Sequence, residues 1–337
     1  MPEIIQIALL LITGLVGLVW SAHFFVGGSA SLAKHLGMRP GLIGLTIVAF
    51  GTSAPEIAVS ADSAIKGAAD LGVGNAIGSN IANIGLVLGA SCLIARIPVS
   101  RPLFKLEIPL LVIATAAAFI VLRDGFLSRP EGITLLACAI ALPFIVVYDS
   151  KRKEKSAVAE ASDALEEEIP ELSTGLSWLW LIGGLVALLV SSHLLVDAAK
   201  DLALLFGVTP MIVGLTVVAL GTSLPELAAS ITSIIKGHTE MAVGNILGSN
   251  ILNIFAVMSL PGIILPTAMG QDVFSRDTLT MTFLTAALLF MGATKIFLSH
   301  KKDPESNQEP TLGWMAGLFF LVIYVCYYGV IFSTLNV

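Results

Sequence analysis

The residues most able to do chemistry here are two glutamates. Glu56 closes the stretch Gly51-Thr52-Ser53-Ala54-Pro55-Glu56, and Glu226 closes Gly221-Thr222-Ser223-Leu224-Pro225-Glu226, 170 positions later. Both sit in apolar surroundings, with no Lys or Arg close by in either segment. A charge deep in such a segment is costly, so it faces a cavity or a partner. Two carboxylates that meet repel each other, and a cation held between them removes the conflict. The neighbouring donors are all oxygens, which suits a hard ion such as Ca2+ or Na+.

The residues around each acid fit the same chemistry. Pro55 and Pro225 have no N–H, and each ring crowds the carbonyl four residues earlier, at Gly51 and Gly221. Each helix should open there, freeing carbonyls that are tolerated at membrane depth only where they line a cavity or find a ligand. Ala49, Thr52, Ser53 and Glu56 can share one helix face, as can Ala219, Thr222, Ser223 and Glu226. A second motif, Gly74-Asn75-Ala76-Ile77-Gly78-Ser79-Asn80, returns as Gly244-Asn245-Ile246-Leu247-Gly248-Ser249-Asn250 at the same offset. It sets up a polar stripe, Asn75, Ser79 and Asn83, mirrored by Asn245, Ser249 and Asn253. The glycines between them let that helix pack closely against its neighbours.

The elements that must position these groups are membrane helices. Of 337 residues, 56% are hydrophobic and 12% charged, well below the ~25% charge of a soluble domain. No Asp, Glu, Lys or Arg occurs from Ile4 to Ala33, from Leu71 to Ala95 or from Met241 to Gln271. Each run exceeds the roughly 20 residues that cross a bilayer. The first run has no basic start and an equivalent later in the chain, so it reads as a retained helix rather than a signal peptide. The pattern predicts ten transmembrane helices, approximately 4–33, 41–65, 71–95, 106–122, 130–148, 175–197, 209–235, 241–265, 278–297 and 312–334.

From Gly37 to Ser60, 14 of 24 positions are identical to Gly207 to Ser230, so the chain contains an internal duplication. Five helices separate corresponding points, and an odd number inverts the second copy in the membrane. The fold class is thus an all-α integral membrane protein of two inverted five-helix repeats, 1–149 and 175–337, joined by a linker at 150–174. On this count thirteen of the 18 Lys and Arg residues fall on one side, which should be cytoplasmic. Both termini would then lie outside and the linker inside, in a plasma (prokaryotic inner) membrane. Cys92, Cys138 and Cys326 form no CxxC pair and read as buried, inert thiols. His23 and His193 read as structural histidines with satisfied hydrogen bonds, and Asp62 and Asp197 as groups near helix ends facing water.

The paired GTS-x-PE and GN-x-x-GSN motifs resemble the two alpha-repeats of the Ca2+/cation antiporter superfamily, and more closely its prokaryotic Na+/Ca2+ exchangers. The resemblance covers nearly the whole chain and implies ten helices with outward termini. It implies that Glu56 and Glu226 are carboxylates shared by Ca2+ and Na+, with carbonyls and hydroxyls from Thr52 and Thr222. Ser53, Ser79, Ser223 and Ser249, with the carbonyls of Ala49 and Ala219, would shape flanking Na+ sites, and Asn83 and Asn253 would complete the centre. The segments around His23 and His193 would be a sliding pair of helices that gates access. Some relatives carry aspartate where this chain has Asn253. The amide form argues against K+ co-transport, and Thr52 and Thr222 favour Na+ over H+ as the coupling ion.

The expected function is Ca2+ exchanged for Na+ by alternating access, with the lipid bilayer and the two ions as partners. No cofactor, nucleic acid or obligate protein partner is expected. A Ca2+/H+ antiporter using the same glutamates as proton carriers is the alternative. A cation channel fits the inverted repeat less well, and without HExxH or a His cluster there is no basis for an enzyme.

Overall fold

The computed structural model describes residues 2–99, 101–157, 172–206, 219–302 and 309–335. Nearly every element in it is a helix. Helix α1 runs over Pro2–His35, α2 over Pro40–Thr52, α3 over Ala54–Ile65, α4 over Ala69–Ile94, α5 over Glu107–Leu122 and α6 over Arg129–Ala157. In the second half come α7 (Thr174–Leu205), α8 (Ala219–Thr222), α9 (Leu224–Ile235), α10 (Thr239–Ile264), α11 (Val273–Ser299) and α12 (Trp314–Leu335).

Seven of these helices are long and apolar enough to cross a membrane, and α2 with α3, bent by 42°, gives an eighth. Helix α5 has 16 residues, short of a full crossing, and the start of the expected 209–235 segment lies outside the described residues. Helix α6 continues to Ala157, past residue 150 where the linker is expected to begin.

Burial sorts the helices into layers. In the glycine- and asparagine-bearing α4 and α10, 72% and 83% of the residues in the most apolar 18-residue stretch are buried, so these helices form the centre, whereas in α1, α6, α7 and α12 the share is only 22% each. Their exposed side chains include Trp20, Phe144, Leu179 and Trp314, an apolar exterior suited to lipid. The chain is therefore a multi-pass membrane protein. Two short antiparallel ladders bind the centre to the periphery. Ile97–Pro98 (β1), just past α4, pairs with Thr311–Leu312 (β4) before α12. Thr267–Ala268 (β3), just past α10, pairs with Phe126–Leu127 (β2) before α6.

Small residues set two close helix contacts. Helices α1 and α7 run antiparallel, with Gly14 against Leu195, Gly28 against Leu181 and Gly184 against Phe25. The Ser31 and Ser177 hydroxyls bond across this seam at 2.8 Å. Helix α2 lies on α10 still more tightly. A Cβ on Gly44 would collide with the Met241 carbonyl, and one on Gly244 with the Gly41 carbonyl. Glycine is required where backbones approach this closely.

The expectation for the cysteines is corrected. Of the cysteines only Cys92 is buried, while Cys138 is half-buried and Cys326 lies on the outer face of α12. Their helices are amphipathic in shape though not in polarity, and lipid-facing positions are as apolar as the core. His23 and His193 are exposed, and His193 Nε2 lies 3.3 Å from Asp197. Lys236, at the end of α9, donates from Nζ to the His23 carbonyl at 2.6 Å, beside Gly27. Its counterpart Lys66 instead bonds Asp62 at 2.6 Å. Asp62, near the end of α3, and Asp197, well inside α7, are both exposed.

Candidate functional site

Pro55 and Pro225 each stand at the second position of a helix, α3 and α9, where no N–H is missed. The residue before each helix, Ser53 or Ser223, has ψ near zero (6° and 3°), and this breaks the preceding turn. At each break the hydroxyl-bearing residues and the glutamate gather in the interior. Thr52, Ser53, Glu56, Ser223 and Glu226 are at most 2% exposed, while Thr222 is half-buried. Ala49 is fully buried, and Ala219 opens α8.

The two halves meet at these breaks. The Ser53 hydroxyl donates to Glu226 Oε1 at 3.1 Å, so a side chain from the first break holds the acid of the second. Thr222 in turn is within hydrogen-bonding reach of Glu56. Thr52 Oγ1 donates to Asn245 Oδ1 at 3.2 Å and lies 3.5 Å from Ser249 Oγ. Ser79 Oγ donates to Glu56 Oε1 at 3.4 Å. One carboxylate oxygen of each acid is thereby engaged. The other oxygen, Oε2 of both Glu56 and Glu226, is buried without a hydrogen-bond partner.

The polar stripes divide by role. The Asn75 and Asn245 amides donate to the Glu56 and Glu226 backbone carbonyls, both at 3.4 Å, and Asn245 also donates to Ser230 Oγ at 3.0 Å. These two asparagines brace the acid-bearing helices. Ser79 and Ser249 stand beside the acids. The side chains of Asn83 and Asn253 are fully buried, yet neither their oxygen nor their nitrogen has a partner, and Ser223 Oγ is likewise unmatched. Buried polar atoms are rarely left unpaired, so unmatched side-chain atoms on these repeated residues suit a place that takes a ligand. The set contains two carboxylates, and no group of three His, Cys, Asp or Glu side chains occurs among the described residues. Such a site can take an oxygen-preferring cation, not a soft transition metal.

Several features here were not read from the sequence. Each stripe ends in a π-helical turn, Asn83–Leu88 in α4 and Asn253–Val257 in α10, marked by the Met258 N–H bonding to the Asn253 carbonyl at 2.9 Å. Such turns widen a helix and re-aim its side chains, often at functional positions. Ser192 of α7 donates to the Gly221 carbonyl at 3.2 Å, so an oxygen expected to be free for a ligand is capped by a neighbouring helix. The matching position in the first half is Ala22, which has no hydroxyl. Ser192→Ala should therefore lower stability by about 1–3 kcal/mol, the usual cost of orphaning a buried acceptor. An unchanged melting temperature would mean that the Gly221 oxygen has another donor.

A second pair of buried acids, Glu107 and Asp277, also stands 170 residues apart. Each is held by an arginine. Arg39 lies 3.7 Å from Glu107, and Arg276 grips Asp277 at 2.6 and 3.2 Å with help from Tyr327 at 3.1 Å. Their partners assign them to structure. Asn250 is buried with both side-chain atoms unmatched, and no contact in the structure explains it.

The family described as "Sodium/calcium exchanger protein" matches residues 6–148 and 176–333. The chain is 44% identical over 286 residues to the putative antiporter CaxA of Alkalimonas amylolytica, spanning 83% of this chain and 88% of that protein. It is 38% identical over 324 residues to the inner membrane protein YrbG of Escherichia coli K12, spanning 93% and 96%. A solved structure of the sodium-calcium exchanger NCX_Mj, soaked with Na+ and Sr2+, superposes with a TM-score of 0.79 at 30% identity, over 97% of this chain and 98% of that one. With a match across both halves and a shared fold, this chain belongs to the sodium/calcium exchanger family of membrane transporters.

Proposed function

We propose that the protein exchanges Ca2+ for Na+ by alternating access, with the ions held between Glu56 and Glu226. The observation that carries this reading is the pair of buried carboxylates, each with one oxygen unmatched, in a shell of hydroxyl and amide oxygens drawn from both halves. Two negative charges balance one divalent ion, and smaller Na+ ions can divide the same oxygens among themselves. Thr52, Thr222, Ser53, Ser223, Ser79, Ser249, Asn83 and Asn253, with carbonyls of Ala49 and Ala219, are the proposed remaining ligands. Within that group Gly221 is not included, because Ser192 occupies its carbonyl.

The proposed topology has ten spans in two inverted repeats, 1–149 and 175–337, both termini outside and residues 150–174 cytoplasmic. The antiparallel pair α1 and α7 would form the moving gate. Support comes from the 170-residue register, the lysine and arginine distribution and the likeness to an exchanger whose structure was solved with Na+ and Sr2+.

The test is transport. Vesicles containing the purified protein and loaded with Na+ should take up 45Ca2+ when diluted into Na+-free buffer, and should not when Na+ is equal on both sides. Uptake driven by a pH gradient with Na+ absent would transfer the coupling to protons. Flux independent of any counter-ion would defeat the antiport reading.

A further inference from the structure

An open groove of about 630 Å3 lies between the latter part of α11 and the start of α12. Its long wall is apolar, formed by Phe290, Met291, Met315 and Phe319. At one end stand two cations, Arg96 from the turn that leaves α4 and Lys295 from α11. Both are exposed, and neither has an ion pair or hydrogen bond among the described residues. The β1–β4 ladder pairs Ile97 with Leu312, which pins Arg96 beside the first turn of α12. Trp314 opens that turn and lines the same groove. Tryptophan at a helix end marks the headgroup level of a bilayer.

The arrangement joins one polar demand to one apolar demand. Two unmatched cations call for an anion, and the wall below them calls for hydrocarbon. A soluble phosphate would satisfy only the first, and a neutral acyl chain only the second. Basic pockets between transmembrane helices bind anionic headgroups on these terms. We propose that this groove is a site for an anionic phospholipid, its phosphate between Arg96 and Lys295 and an acyl chain along Phe290, Met291, Met315 and Phe319. The site lies apart from Glu56 and Glu226 and does not depend on which ions are exchanged.

The experiment uses the full chain in detergent with phosphatidylglycerol or phosphatidylcholine added, and counts bound lipid by native mass spectrometry. The expected result is retention of phosphatidylglycerol on the order of tenfold above phosphatidylcholine, as two juxtamembrane cations would give. The double variant R96Q/K295Q should lose that preference, and R96K should keep it. Substitution of Ala316, which also lines the groove, by Trp should fill the apolar wall and reduce retention with both charges in place. Removing two other exposed cations, in K105Q/K200Q, should leave the preference intact. Equal retention of the two lipids, an unchanged preference in R96Q/K295Q, or the same loss in K105Q/K200Q would each overturn the proposal. Competition by millimolar inorganic phosphate would also overturn it, in favour of a soluble-anion site.

Discussion

Glu56→Gln and Glu226→Gln are each expected to abolish Ca2+ exchange while leaving a folded protein. Glutamine matches glutamate in shape, and its amide oxygen can still accept the Ser53 bond that Glu226 Oε1 now receives or the Ser79 bond at Glu56. What disappears is one of the two negative charges proposed to face the ion. Removing one member of a buried charge pair costs about 3–5 kcal/mol, which corresponds to a loss of roughly a hundredfold or more in affinity. Calorimetry should show Ca2+ binding falling by that factor, and 45Ca2+ uptake should reach background. Wild-type flux in either variant would remove that acid from the mechanism. A loss confined to one of the two would break the symmetry that the proposed site requires.

The second large effect concerns a residue with no chemistry at all. Gly244→Val is expected to prevent α2 from seating on α10. The new Cβ would overlap the Gly41 carbonyl oxygen and approach both Gly41 C and Leu45 N to 2.9 Å. All three are backbone atoms, so no side chain can turn aside. Ordinary overpacking of a core costs about 1–3 kcal/mol, and a backbone clash in the most buried helix should exceed that. The next residue, Asn245, receives the Thr52 bond and braces the Glu226 backbone, so any displacement reaches the acid directly. Size-exclusion chromatography of the variant should show aggregated protein. A monodisperse variant with normal uptake would mean that the two helices can separate at no cost.

The sequence made the centre of this protein legible because the duplication repeats every polar residue there in a polar-poor background. Glu56 and Glu226, the breaks beside Pro55 and Pro225, and the stripes ending at Asn83 and Asn253 all lie in the interior as read. Other features carried no local signal. The π turns leave no mark in composition, because they arise from how α4 and α10 are held rather than from residue preference. Ser192 is one hydroxyl in an apolar helix, and only its place across from Gly221 gives it a role. Glu107 and Asp277 were hidden for another reason: each stands at the start of an expected span, 106–122 or 278–297, close to a basic residue, Lys105 or Arg276, where an acid reads as part of a solvated helix end. The half-buried Cys138 and the exposed Cys326 show the converse limit. Where the solvent is lipid, apolar surroundings in the sequence do not distinguish inside from outside.

The bond from Lys236 to the His23 carbonyl constrains how such a molecule can rest. It grips α1 far from either end, at a carbonyl made accessible by the absence of a side chain on Gly27. One turn along α1 in either direction, about 5.4 Å away, the corresponding shielding positions are His23 and Ser31, both with a Cβ. The ammonium thus has a single notch on that stretch of α1, and the gating movement proposed for α1 would have to lift it out. The other half offers no matching notch, since Asp197 replaces Gly27 and Lys66 is tied to Asp62. The near-twofold symmetry of the two halves is therefore broken at this one contact on α1.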